Sequence, residues 1–252
     1  MLNRPVYVNT LRWFLNSTGR VVVAGLIGLV TYGIVAASAE NGAVSAAAMA
    51  DSGNKGLVIL AWLLGVGLIR REIKSGSIHL VALRPLSRAS YVLSKWAALL
   101  TLNLAFLAFV YAVAVLKGGP SALGGGVAWV ALAQVMQIGA LCAVLTFLSV
   151  LPFSVGELGT AFFAVVVLAV LDHVASRQDW PALGSAADWG FRILIPRVAL
   201  DGAAVPGLLA GPSASVDIGG SLLVNAVILV AALSGAVGLF ARREFPYAES
   251  AA

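Results

Sequence analysis

Apolar residues in this chain come in long runs bounded by charges, not in the alternating pattern of a half-buried strand. A helix needs about 20 apolar residues to cross roughly 30 Å of hydrocarbon. A Lys, Arg or Asp at its centre costs about 2.5–3.5 kcal/mol, so charges mark where spans end. Read this way, the runs predict six spans. The first is Val21–Ser38. The second is Gly56–Ile69, extended back to about Ser52 with Lys55 snorkelling. The third is Trp96–Leu116, between Lys95 and Lys117. The fourth is about Val127–Leu151, after Gly124-Gly125-Gly126 and before Pro152. The fifth is about Phe153–Leu171, with Glu157 near its start, and the sixth is Ile218–Ala241, between Asp217 and Arg242-Arg243. The first run lies behind Arg12 and Arg20 with no small-residue cleavage site after it, so it is expected to be a retained span and not a cleaved leader. The expected fold class is all-α: a polytopic membrane protein in a single domain over residues 1–252.

Two segments outside the spans carry their own pattern. Within residues 4–20, Arg12, Asn16 and Arg20 recur at i, i+4, i+8, with Leu11, Phe14 and Leu15 on another face. That spacing suits an amphipathic helix lying in the membrane interface. A basic stretch that only orients the first span fits equally well. The connection over 172–217 carries Trp180, Trp189 and Phe191, which suit the headgroup region. It also holds an apolar stretch, Ile193–Ala210, broken by Pro196, Gly202, Pro206 and Gly207. The breaks predict short re-entrant or interfacial helices there and no seventh span.

The loop between the second and third spans is the most informative stretch. Ile69, Ile73, Ser77 and Leu80 share one helical face, while Arg70, Arg71 and Lys74 fall on another. Arg84 precedes Pro85, which should end the helix. Ser87 is then placed to cap the third span, with Tyr91 and Lys95 at its interfacial end. A plain connector needs only a few residues, so this punctuation points to a docking element for a cytoplasmic partner.

Composition agrees with the membrane reading. Hydrophobic residues make up 60% of the 252 and charged residues 11%, with a mean hydropathy of +0.97. Soluble proteins carry about a quarter charged residues, which excludes an ordinary cytosolic enzyme and a disordered chain. The net charge of +5 does not imply nucleic acid, because the positive residues sit between apolar runs. With both termini inside, the inner segments hold 11 of the 16 Lys and Arg residues, which predicts cytoplasmic termini. Arg is 12 of those 16 and Ala is abundant, pointing to a bacterial plasma membrane.

Candidate chemistry is sparse. His79 and His173, the two histidines, fall on opposite sides of the membrane in this topology and so cannot share a metal. Cys142 reads as a small apolar packer. Asn103, Gln134, Gln137 and Asn225 lie within spans, where they could line a path for a polar substrate or hydrogen-bond between helices. Glu157 could snorkel, pair with a loop Arg, or serve in transport. Gly25-x-x-Gly28 and Gly235-x-x-Gly238 allow close helix contact. No phosphate-binding loop with its Lys occurs, so this chain is expected to be non-catalytic, with no cofactor or metal of its own.

Glu72, Gly76, Arg84-Pro85-Leu86-Ser87-Arg88, Tyr91 and Lys95 together resemble the signature of type-2 ABC exporter permeases. The approximate length, the six spans, the amphipathic first segment and the Arg-Arg-Glu tail are similar as well. The resemblance implies a permease domain that pairs with a second copy or close homologue and binds two ATPase subunits, which hold ATP and Mg. Residues 70–90 would form the coupling loop, through Arg70, Arg71, Glu72, Lys74, Ser75, Gly76, Ser77, His79, Arg84 and Arg88. Glu72 would meet an Arg of the ATPase or cap the loop by bonding backbone N–H groups, or else pair with Arg71, Lys74 or a basic residue of the amino-terminal segment. Residues 172–217 would resemble outer gate helices. The implied function is membrane transport driven by a separate ATPase, or force transmission to an outer, periplasmic partner. The alternatives are an ion-coupled secondary transporter and, further off, an intramembrane enzyme. The sequence names no cargo.

Overall fold

The computed structural model describes residues 2–40, 46–75, 87–118, 127–151, 164, 166–171, 174, 180–194 and 218–242. Among these there are helices and turns and no strand.

Helix α1 spans Arg4–Leu15. Asn3 caps it, its side-chain oxygen accepting from the Val6 N–H at 3.1 Å, and Pro5 sits in the first turn, where a missing N–H costs nothing. After Asn16 and Ser17 the chain bends by 74° into α2, Thr18–Glu40. Helix α1 is held against the later helix Arg88–Gly118 by Asn3 N–H donating to Ser94 Oγ (2.7 Å) and by a Tyr7–Thr101 hydroxyl bond (2.9 Å). Phe14, 2% exposed, is the apolar residue that α1 sends into the core.

Helix α3, Ala46–Gly65, differs from expectation at both ends. It begins before Ser52, so the polar stretch Asp51–Lys55 lies inside the helix. It stops four residues before Ile69, because Gly67 takes φ +77°, a left-handed conformation that Gly adopts without a Cβ clash. The turn over 66–69 then hands the chain to α4, Arg70–Lys74. The expected loop helix is therefore described over this one short turn, and residues 76–86, with Gly76, Ser77, His79 and Arg84, lie outside the described residues.

Helix α5, Arg88–Gly118, has 31 residues. Ser87 caps it as the sequence implied, its Oγ accepting from Ser90 N–H at 3.1 Å. At 1.5 Å per residue α5 is about 46 Å long, which exceeds the hydrocarbon thickness by several turns. Helix α6 is Val127–Val150, α7 is Pro181–Leu194 and α8 is Ile218–Arg242. A helical piece over 166–171 packs Leu168 against Gly190 of α7. The expected short helices at Ile193–Ala210 fall mostly outside the described residues; α7 lies earlier, with Trp180 and Trp189 exposed and Ala187 and Leu194 buried. The start of the fifth predicted span, with Glu157, is likewise outside them, as is His173.

Three helices among the described residues are long and apolar enough to cross a membrane: Arg88–Lys117, Ala131–Val150 and Leu222–Arg242, with mean hydropathies of 2.4, 1.9 and 2.4. The bent α1–α2 pair would make a fourth. Helix α6 is the axis of the bundle: 72% of its span is buried inside the protein, against 33% for α5 and 22% for α8. Its most extensive pairing is with α8. The core runs through Leu57 and Leu64 of α3, Leu99 of α5, Leu141 and Leu145 of α6 and Phe240 of α8.

Candidate functional site

The end of the bundle where α4, the start of α5 and the end of α8 meet gathers the charged residues singled out in the sequence. Arg88, Tyr91 and Lys95 recur at helical spacing and form one stripe on the first turns of α5. Lys95 Nζ donates to Glu72 Oε1, and Tyr91 O–H donates to Glu72 Oε2, so both carboxylate oxygens are engaged. The Lys95 side chain is 5% exposed and that of Glu72 31%. A buried ammonium is tolerated only with such a partner, because desolvation penalises a lone charge by several kcal/mol. The Lys95 ammonium also lies 5.5 Å from the Tyr91 ring.

The same stripe grips α8. The Tyr91 ring stacks on Phe240, with centroids 5.3 Å apart and planes 14° from parallel. Arg88 Nη1 donates to Phe240 O (3.2 Å) and Ala241 O (2.6 Å), carbonyls in the last turn of α8. A cation at a helix carboxyl end meets both the free carbonyls and the negative pole of the helix dipole. Through Glu72, Tyr91 and Arg88, α4, α5 and α8 are joined at one point.

Helix α4 divides its residues between two sides. Ile69, at the start of the turn into α4, is fully buried, and Ile73 packs on the core. Arg71, Lys74 and Ser75 are exposed. Arg70, which the spacing groups with Arg71 and Lys74, is instead buried, at 9% exposure. Glu72 engages Lys95 and Tyr91, 23 and 19 residues away in the chain, a pairing that local sequence reasoning did not anticipate. The available signal was the 88–91–95 stripe, which puts a Lys and a Tyr on the helix face that follows the loop.

The elbow between α1 and α2 lies beside this hub. The Arg20 guanidinium sits 3.9 Å over the Trp13 ring, and Arg20 Nη2 donates to Val66 O (3.0 Å) in the turn after α3. This contact was also missed, because nothing local relates residue 20 to residue 66.

The polar residues of the spans are buried within the bundle. Gln134 Oε1 accepts from Tyr111 O–H at 2.8 Å, which joins α5 to α6. Asn103 Nδ2 donates to Leu99 O (2.9 Å) within its own helix and lies 3.8 Å from Cys142 Sγ. Gln137 is 2% exposed and Asn225 is fully buried. None of the four lines the groove of about 390 Å³ between α2 and α5, whose walls are Gly25, Gly28, Tyr32, Phe106 and Phe109 among others. Of the spaced glycines, Gly235 lies at a close helix contact, against Phe147; Gly25 and Gly238 meet nothing within 4 Å. Among the described residues no group of three or more His, Cys, Asp or Glu side chains is placed to hold a metal.

Three long apolar helices among the described residues, one of them the buried α6, mark the class as an α-helical membrane protein. Comparison with protein-family models, curated proteins and solved structures finds no match to any of them.

Proposed function

We propose that the chain is the membrane-spanning permease subunit of an ATP-driven transporter, of the type-2 exporter kind that its loop signature resembles. The observation that carries this reading is the convergence of Glu72, Arg88, Tyr91 and Lys95 on one hub, beneath an outward face made by Lys74 and Ser75. A loop that only connects two spans has no need to join α4 to α5 and α8. A loop that receives a push from a partner does, because displacement of α4 is then passed to two helices of the bundle. In this reading six spans leave both termini in the cytoplasm, α1 lies in the inner interface, and α7 belongs to an outer gate. Two copies assemble with two ATPases, which supply ATP and Mg chemistry. Glu72 is a positioning residue: it holds α4 on the bundle while the exposed basic face meets the partner.

The test is purification of the tagged chain from its native membranes, with vanadate-sensitive ATP hydrolysis as the readout. Wild type is expected to bring that activity with it. Lys74→Glu, which reverses an exposed charge, should insert normally and lose the co-purified hydrolysis. Normal insertion with undiminished hydrolysis would leave the loop a connector and sink the coupling role.

A further inference from the structure

The second cluster that stands out is the elbow. Arg20 and Arg71 approach the same Trp13 ring, at 3.9 and 5.7 Å from its centroid, and Arg20 also lies 5.5 Å from the Phe14 ring. Among the described residues neither guanidinium has a carboxylate partner, since Glu72, the acid nearest in sequence, is engaged by Lys95 and Tyr91. Arg20 Nη2 is satisfied by Val66 O, but Nη1 is buried with no hydrogen-bond partner among the described residues. Two like charges held against one ring, with a buried donor unspent, are an unfavourable arrangement for a protein alone. An anion with several acceptor oxygens would relieve it, because guanidinium forks match phosphate geometry.

The surroundings decide which anion. Leu15 is 62% exposed and Val22 54% exposed, so the chain on both sides of the elbow is apolar at its surface. The exposed face of α2 continues through Leu26, Leu29 and Val30. A free phosphate has no use for that surface, whereas a lipid places its headgroup at the charges and its chains along the helix. Trp13 is the residue type that prefers this depth. We propose that Arg20, Arg71 and Trp13 form a binding site for the phosphate headgroup of an anionic membrane lipid, with its acyl chains along α2. The site rests on the elbow lying at the membrane surface and not on the chain being a transporter.

The test uses the full chain purified in detergent without any partner. Native mass measurement counts the lipid retained after addition of phosphatidylglycerol or of phosphatidylcholine. Phosphatidylglycerol should be retained preferentially. Arg71→Gln, an exposed position expected to fold normally, should lower its retention about tenfold, the worth of one charge-assisted hydrogen bond. Arg12→Gln, elsewhere on α1, should leave it unchanged. Inorganic phosphate added at the lipid concentration should not displace the lipid. Equal retention of phosphatidylcholine, or undiminished retention by Arg71→Gln, would overturn the site. Displacement by inorganic phosphate would make it a phosphate site and overturn the lipid assignment. Arg20→Gln also removes the bond to Val66 and so tests folding more than binding.

Discussion

The bundle is held together differently at its end and in its middle. At the end, α4, α5 and α8 are joined by an ion pair, a stacked pair of rings and a guanidinium on helix carbonyls. In the middle, α3, α5, α6 and α8 are joined by apolar packing, by small residues and by neutral groups such as Tyr111 and Gln134. The difference follows from the solvent. Where water reaches, as it does the 31% exposed Glu72 side chain, a charge can be hydrated during folding and then paired. In hydrocarbon a charge has no such route, and neutral hydrogen bonds between spans add little, because the separated helices also find partners. Charge therefore gives the end specificity, while shape gives the middle its fit.

The largest effect should come from stranding the buried charge. Glu72→Leu removes the partner of an ammonium only 5% exposed, and is expected to cost about 3–5 kcal/mol. Lys95→Met should cost clearly less, because the Glu72 side chain is 31% exposed and water reaches the carboxylate it leaves behind. The double variant Glu72→Leu with Lys95→Met should recover much of the first loss. Reversible unfolding in mixed micelles with increasing SDS reads all three. Equal losses for the two single variants would mean that burial does not set the strength of this pair.

Next in size are steric changes in the middle. A Cβ on Gly65 would stand 2.8 Å from Leu145 Cδ1 and 3.1 Å from Leu145 Cβ, so Gly65→Ala presses α3 off α6. Overpacking of this kind costs about 1–3 kcal/mol. Gly25→Ala is the matched control: nothing lies within 4 Å of its Cβ position, and its effect should stay within about 0.5 kcal/mol. If both glycines tolerate Ala equally, the contact of α3 with α6 is looser than these distances imply.

The end also contains a weaker link than its ion pair. Arg88→Met removes the donor to Phe240 O and Ala241 O. Faster amide exchange is expected over the last turn of α8, with α6 unchanged. A cation at a helix end is worth about 0.3–1 kcal/mol, so global stability should move little. Loss of protection along the whole of α8 would mean that Arg88 holds the helix in place and does more than cap it.

The sequence made different parts of this legible for different reasons. The runs bounded by charges place α5, α6 and α8 well, because one long apolar run and one helix are nearly the same object in a bilayer. Ser87 as a cap, and Ile69 and Ile73 on one face, follow from rules that act over a few residues. Helix α3 was misplaced because its stop depends on one glycine conformation at Gly67, and its start runs through a polar stretch that hydropathy excludes. The residues of the hub were singled out, but not their partners. Glu72 with Lys95, Arg88 with Phe240 and Arg20 with Val66 are long-range pairs fixed by how helices pack, and no local period encodes them.

The smallest effect sharpens the comparison most. Tyr111→Phe leaves the Gln134 carbonyl buried, 1% exposed, without its donor. Inter-helix hydrogen bonds of this kind average about 0.6 kcal/mol in membrane proteins, and that is the expected loss. Gln134→Leu removes the other partner, and the Tyr111 hydroxyl, on a half-buried side chain, can then turn outward, so its loss should be smaller still. The double variant Tyr111→Phe with Gln134→Leu carries no orphaned polar group and should be close to neutral, since replacing both partners by apolar groups of similar shape removes the penalty together with the bond. Measured by the same SDS unfolding, the two double-mutant cycles give one coupling energy for the end and one for the middle. The Glu72–Lys95 cycle should return several times the value of the Tyr111–Gln134 cycle. Equal coupling energies would mean that the ion pair is as well hydrated as the surface, and that the two parts of the bundle are held by the same kind of force.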